Sequence, residues 1–424
     1  MKEDFLHYVW KFQKFYALGL STIKGCRLKI VKVGKHNQDS GPDFFNAQIL
    51  IDGQLWAGNV EIHLKSSDWY AHHHEKDSNY DNVILHVVWE YDTDIFRKDN
   101  STIPTLELKS ILDKNILKNY LKLFSKKKQW INCEKDFERI DSFIFNNWLD
   151  SLYLERLQQK SLLIVKELKA SNNHWEGLLF ILLCKNFGLK VNGEAFYSIA
   201  KSVGFPIVKK CNNDKLEIEA LLFGQAGFFE KCIEDSYFEL LSSKYVFLTQ
   251  KFKLDNKSII SPKYFRLRPP NFPTIRLSQL AVLFSENQSL FSKIIEATSL
   301  EDYYSIFNIS ANEYWDTHYN FGVSSSKSSK RLTKKFINLL LINTIIPLKF
   351  SYAKYLGQDM SEEIINLASL IPSEENSIIK KFKEIRSIAD NSLQTQALLQ
   401  LKNEYCDKNK CLQCANGNSI LKGE

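Results

Sequence analysis

GPDFFNAQILIDGQLWAGNVEIHLK, residues 41–65, decides how the chain begins to fold. Asp52-Gly53 is a two-residue hairpin signal, because both residues tolerate the positive φ of a tight primed turn. On either side of it, Phe44 to Ile51 and Gln54 to Lys65 alternate, as strands with two unlike faces do. Trp56, Val60, Ile62 and Leu64 share one face of the second strand, and Asn59, Glu61, His63 and Lys65 share the other. A carboxylate, an imidazole and an amine on one face suit divalent-metal chemistry. The carboxylate holds a hard cation, and the basic group orients or deprotonates water.

Register decides whether Asp43 joins them. A strict two-residue turn pairs Ile51 with Gln54, which carries Phe44 opposite Glu61 and Asp43 opposite Ile62. Asp43 then points to the wrong side. Its convergence with Glu61 requires a bulge or a strand-end kink, and Gly41-Pro42 is the expected cause.

Outward from the hairpin, residues 4 to 18 read as a helix, with Phe5, Val9, Phe12 and Tyr16 at helical spacing and Gly19 as a stop. Arg27 to Val33 alternates, Val83 to Trp89 is almost continuously apolar, and Ile103 to Leu108 adds a further strand. From Asp141 the pattern turns helical, behind a cap at Asp141 or Ser142. Trp175, Leu178, Leu179, Leu182 and Leu183 form a stripe that Gly188 ends. In the stretch Arg266 to Arg276, Pro269, Pro270 and Pro273 predict an extended loop. Leu222 to Gly227 reads as close helix packing, since no Lys follows in the position a phosphate loop needs.

At 424 residues and 44% hydrophobic content the chain buries a substantial core, and it is longer than one typical domain. The division expected is 1–135, an α/β domain, then 136–400, an α-helical domain, then 401–424, a cysteine-containing tail. The net charge of +7 permits nucleic-acid binding without requiring it. Lys126 to Lys128, and the group Lys327, Lys330, Arg331, Lys334 and Lys335, read as solvated faces. Met1-Lys2-Glu3-Asp4 leads into an amphipathic stretch without a signal-peptide pattern, and Phe336 to Leu348 is too short for a membrane span. A cytoplasmic protein without a membrane role is expected, with its eight cysteines as reduced thiols or metal ligands before disulfides.

Gly41-Pro42-Asp43, a hairpin, then Glu61-Ile62-His63, in the order helix, three strands, polar segment, strand, resembles the restriction-endonuclease-like PD-(D/E)XK nuclease core. The resemblance implies an α+β protein: a small mixed-sheet restriction-endonuclease-like domain followed by a large mainly α-helical one. It implies that Asp43 and Glu61 bind magnesium or manganese with the Ile62 carbonyl, and that His63 stands where that superfamily has a Lys. Lys65 lies one pleat further along the same face. The very-short-patch repair endonucleases are similar in using histidines beside the metal, and here His72, His73 and His74 follow, with Asp77 and His86. The bland readings are an edge strand with a solvated Glu61-His63-Lys65 face, a hydrogen-bonded core histidine at His86, and an exposed loop at His72 to His74.

The whole chain is also similar to a bacterial family known as a domain of unknown function. The similarity rests on Gly41 to Phe44, Val60 to His63, Ser67 to Trp69, Leu85 to Trp89, Leu222 to Gly227 and Arg268 to Arg276.

Cys406, Cys411 and Cys414 have C-x4-C-x2-C spacing in a polar tail, where thiols are not needed for packing. Cys133 is the candidate fourth ligand of a structural zinc or 4Fe-4S site, because Cys184 sits in an apolar helix stripe. One distant cysteine with three near the C-terminus is similar to the arrangement in iron–sulfur-bearing nucleases of the same superfamily. Arg266, Arg268 and Arg276 are read equally as phosphate-binding forks and as caps within a buried loop. Three functions are expected in competition: a metal-dependent nuclease acting on DNA or RNA, a nucleic-acid-binding scaffold that keeps the nuclease fold without turnover, and a zinc hydrolase using His63, His72, His74 or His86.

Overall fold

The structure, a computed structural model, describes residues 1–125, 129–211 and 214–423. The Lys126 to Lys128 run lies outside the described residues. The protein is α+β and divides into two compact units, Met1–Trp148 with Leu401–Glu424, and Leu149–Gln400.

The first unit opens with helix α1 (Glu3–Lys11), whose Phe5, Leu6, Val9 and Trp10 are fully buried. It is shorter than its apolar spacing predicts. Gln13 turns left-handed at φ 47°, and Phe15 instead bridges to Leu112. Strands β1 (Leu28–Lys32), β2 (Lys35–His36), β3 (Phe44–Ile51) and β4 (Gln54–Lys65) follow. After helix α2 (Asp68–Ala71) come β5 (Val83–Glu90), β6 (Thr105–Glu107) and helix α3 (Lys114–Leu123). The sheet is mixed, in the order β1-β3-β4-β5-β6 with β2 also on β3. β1, β3 and β4 run antiparallel, while β5 and β6 lie parallel to β4.

The hairpin register holds from Ile51 opposite Gln54 to Ala47 opposite Gly58, then slips by one, so that Phe44 faces Val60. The slip is a bulge at Asn46, whose φ is 58° and whose N–H donates to Asn59 Oδ1 at 3.3 Å. The kink expected at Gly41-Pro42 is thus supplied inside β3. A short polar side chain tolerates the left-handed conformation there.

β4 is a central strand, buried on both faces from Gly58 to His63, so Glu61 and His63 are not the solvated face of an edge strand. Gly58 is required by this burial: a Cβ there would stand 2.5 Å from Ile84 Cγ2 and 2.6 Å from the Asn82 carbonyl. The parallel crossover, residues 66–82, is anchored rather than loose. Trp69, 1% exposed, packs with Tyr80, Val83, Ile95 and Ile103, and Asp92 accepts from Ser66 Oγ, Ser67 N–H and Ser67 Oγ at 2.8–2.9 Å.

The rest of the chain is mainly helical. Asp141 caps helix α4 (Ser142–Ala170) by accepting from Phe143 and Ile144 N–H. In the second unit, Trp175–Phe187 forms the helix its stripe predicts. Gly224 lets helix Lys215–Gln225 approach Tyr245 so closely that a Cβ would meet its ring at 2.1 Å. Pro273 does not extend the arginine loop but starts helix Pro273–Glu286, at a position that needs no N–H donor. Lys330 also departs from the solvated reading. It is buried, with its ammonium donating to the Ser328 and Asp316 carbonyls. Lys334–Tyr355 is the one helix among the described residues long and apolar enough to cross a membrane, and 72% of its most apolar window is buried.

Candidate metal centre

The bulge at Asn46 sets Asp43 opposite Glu61, and the two carboxylates are interlocked through backbone. Asp43 N–H donates to Glu61 Oε2 at 3.1 Å, and Ile62 N–H donates to Asp43 Oδ2 at 2.9 Å. On the same face of β4, His63 Nδ1 lies 2.8 Å from His86 Nε2, and His63 Nε2 lies 3.1 Å from His72 Nδ1. His74 Nε2 stands 3.3 Å from Glu61 Oε1, and His63 Nε2 3.5 Å from the same oxygen. His63, His72 and His74 each present a nitrogen within 4.8 Å of the others. His73 lies between the two loop histidines in the left-handed conformation, φ 60°, and the His74 ring stacks on Tyr80 at 3.8 Å.

Asp43, Glu61, His63, His72 and His74 line an open cleft of about 330 Å³ together with Glu3, Asp39, Asp77 and Tyr80. Asp77 is in the cleft wall, but its carboxylate caps the next turn through Asn79 N–H. Lys65 is exposed at the end of β4 and is not among the residues lining the cleft. His86 is fully buried and hydrogen-bonded, as the bland reading has it, yet its partner is a cleft residue.

Electrostatics follow from burying these groups together. Burial, then the Asp43 charge, pushes the Glu61 carboxyl up to about 9. Burial, then the neighbouring imidazoles His86, His74 and His72, pushes His63 down to about 2, and burial with His74 pushes His86 to about 3. His74 is lowered chiefly by burial. His63, His74 and His86 are therefore neutral near neutral pH, the form that offers a lone pair to a metal. The donor set fits a divalent cation. The buried Glu61 carboxyl beside the half-buried Asp43 calls for positive charge, and His63 can bind through Nε2 while Nδ1–H donates to His86.

His7, from α1, was not singled out by sequence reasoning. Its Nε2 lies 3.2 Å from Asp43 Oδ2, and although burial lowers its pKa, the hydrogen bond and charge of Asp43 outweigh this and raise it. Glu3, one turn earlier, lines the carboxylate–histidine cleft, while His7 lines the neighbouring groove. Their i, i+4 spacing on a helix preceding the metal-type strands was the available signal.

The three arginines lie elsewhere, in the second unit. Arg276 is buried; it donates to Gln279 Oε1 at 2.8 Å and Asn271 Oδ1 at 2.6 Å and sits 3.5 Å over the Phe336 ring, so its guanidinium is used internally. Arg266 and Arg268 are exposed. All eight cysteines are free, and Cys133, Cys406, Cys411 and Cys414 line a single cavity.

Fold and site together define an α+β protein with a carboxylate–histidine cluster in a cleft on a mixed sheet. Residues 3–377 match the model of a protein family of unknown function, DUF2851, and the chain belongs to that family. No curated protein and no solved structure matches it.

Proposed function

We propose that the chain is a metal-dependent nuclease-like hydrolase that cleaves phosphodiester bonds in DNA or RNA. The observation that carries this reading is the placement of Asp43 opposite Glu61 by the Asn46 bulge, on a mixed sheet whose element order resembles the PD-(D/E)XK core. Asp43 and Glu61 would hold magnesium or manganese, and Ile62, which also lines the cleft, would add its carbonyl. A cation held there supplies charge for the phosphoryl oxygen and acidifies water. His63, kept neutral by burial, suits a ligand or an acceptor better than it suits the ammonium it replaces. Lys65 is too exposed to substitute for it. His7, with its raised pKa beside Asp43, is the group suited to carry a proton to the leaving oxygen.

A second reading, a histidine-ligated zinc hydrolase, is favoured by the mutual approach of His63, His72 and His74. The two readings share a centre and differ in metal and substrate.

The test is incubation of purified protein with single- and double-stranded DNA and RNA, and with activated carboxylic esters, in manganese, magnesium or zinc. Nucleic-acid cleavage in manganese or magnesium that Asp43→Ala and Glu61→Ala abolish is the expected result. Ester hydrolysis supported by zinc alone would support the second reading. Nucleic-acid binding without turnover in any metal would point to a scaffold that keeps a nuclease-like site.

A further inference from the structure

The second constellation in the first unit is the cysteine cavity. Cys133 lies in a turn closed by Asp136 N–H on its carbonyl at 3.0 Å. Cys406 ends the π-turn Leu401–Cys406, Cys411 opens the 3-10 turn Cys411–Gln413, and Cys414 precedes helix Ala415–Lys422. Their thiols line one cavity with Asn132, Leu401, Tyr405, Asn416 and Gly417.

Three observations say that this cavity is built for something other than packing. First, Asn416 is 1% exposed and lines the cavity, yet neither its amide nitrogen nor its oxygen has a hydrogen-bond partner. A buried amide left unpaired costs about 1–3 kcal/mol and calls for a missing ligand. Second, Asn132 Nδ2 donates to Cys411 Sγ at 3.5 Å, the kind of outer contact that stabilises a ligating sulfur. Third, Gly417 leaves no room for a side chain beside the cavity, since a Cβ would stand 2.1 Å from the Cys411 carbonyl.

Spacing selects the kind of metal. Around one zinc ion, sulfurs at ~2.3 Å from the metal in a tetrahedron lie about 3.8 Å apart. Among the described residues, the one group of three or more ligand atoms gathered as if to share a single ion is His63, His72 and His74, and the four sulfurs that line one cavity are not drawn into such a group.

We propose that Cys133, Cys406, Cys411 and Cys414 are the four thiolate ligands of a 4Fe-4S cluster. Each ligation exchanges an S–H bond for an S–Fe bond and releases one proton to solvent, with iron and sulfide supplied from outside. Asn416 then donates its amide N–H toward the anionic cluster. The loop between Cys406 and Cys411 carries Lys408 and Lys410 into the wall of a groove of about 930 Å³, whose other wall includes Lys2, His7 and Lys11. His7 also touches Asp43. The cluster thus fixes one side of a basic groove whose wall includes His7, the residue that meets Asp43 of the candidate metal cleft, a role suited to a polyanionic strand. This last step rests on the nuclease reading; the cluster does not.

The experiment is anaerobic purification of the full chain from iron-supplemented cells, with iron and acid-labile sulfide assayed on the wild-type protein first. About four iron and four sulfide per chain with broad visible absorption are expected. Cys406→Ser and Cys414→Ser should remove the colour, whereas Cys184→Ser and Cys232→Ser should keep it. Since a cysteine substitution can prevent folding, the wild-type assay decides the matter alone. One zinc per chain without sulfide overturns the cluster, and protein without stoichiometric metal overturns the centre. Oxidative removal of the cluster should increase tryptic cleavage at Lys408 and Lys410 whether or not the protein cleaves nucleic acid. An unchanged cleavage pattern overturns the ordering role.

Discussion

Asn46 carries more of this site's geometry than any candidate ligand does. Alternation alone gathers Glu61 and His63, and the hairpin turn fixes their register, but Asp43 enters only because one residue is inserted in β3 at a left-handed φ of 58°. That conformation strains a β-branched residue by about 1–3 kcal/mol and relaxes in glycine. Asn46→Val is therefore expected to lose that stability and to weaken manganese binding, read by titration, while Asn46→Gly keeps both. Equal metal affinity in both variants would show that the bulge does not place Asp43. The sequence contained the need for a bulge, since the strict register misdirects Asp43. Its location was illegible, because Asn in a strand pattern marks no particular φ, and Gly41-Pro42 is the stronger local signal. His7 left only its i, i+4 spacing to Glu3 as a signal, because its partner lies across tertiary packing, beside the sheet that α1 covers.

At the level of elements, the strands were legible from period two and the long helices from their stripes, because burial imposes those periods directly. Features set by tertiary contact were not. The crossover after β4 reads as a polar loop, yet Trp69 anchors it and so holds His72 and His74 beside His63. Trp69→Ala should cost about 3–5 kcal/mol, and in protein that remains folded it should weaken zinc binding through the loop histidines, measured against an untouched Glu61. A second element hidden from the sequence is the π-turn Leu341–Ile345. Lys160 Nζ donates to the Ile342 carbonyl at 3.3 Å and to Asn343 Oδ1 at 3.2 Å. Burial, then the Arg156 charge, lowers this amine to about 7 from an ordinary 10.5. Between those values the unfolded chain holds a proton that the folded chain lacks, so unfolding takes up a proton and stability rises with pH. Thermal midpoints measured from pH 7 to 9 should show this rising contribution in the wild type and lose it in Lys160→Met. An unchanged slope in the variant would assign the pH dependence to other groups.

For the whole molecule, the division into Met1–Trp148 with Leu401–Glu424 and Leu149–Gln400 has a thermodynamic consequence. Every candidate ligand, from Asp43 to His86 and from Cys133 to Cys414, lies in the first unit. The second holds instead a buried carboxylate, Glu219, whose oxygens accept from Trp315 Nε1 at 2.6 Å and Asn312 Nδ2 at 3.1 Å. Such internal pairing serves the fold, and burial raises that carboxyl's pKa. The tail's allegiance to the first unit was partly legible, since C-x4-C-x2-C spacing asks for a fourth cysteine and Cys133 was the one outside an apolar stripe. A ligand that binds the native form of one unit stabilises that unit, by about 2.7 kcal/mol at a hundredfold excess over its Kd. Calorimetry should therefore resolve two transitions, of which manganese raises one and a chelator lowers the same one. Leu280→Ala, at a fully buried position of the second unit, should lower the other by about 2–5 kcal/mol in stability. If calorimetry showed a single transition that manganese raises as a whole, the two units would unfold as one, and metal binding would report on the stability of the entire chain.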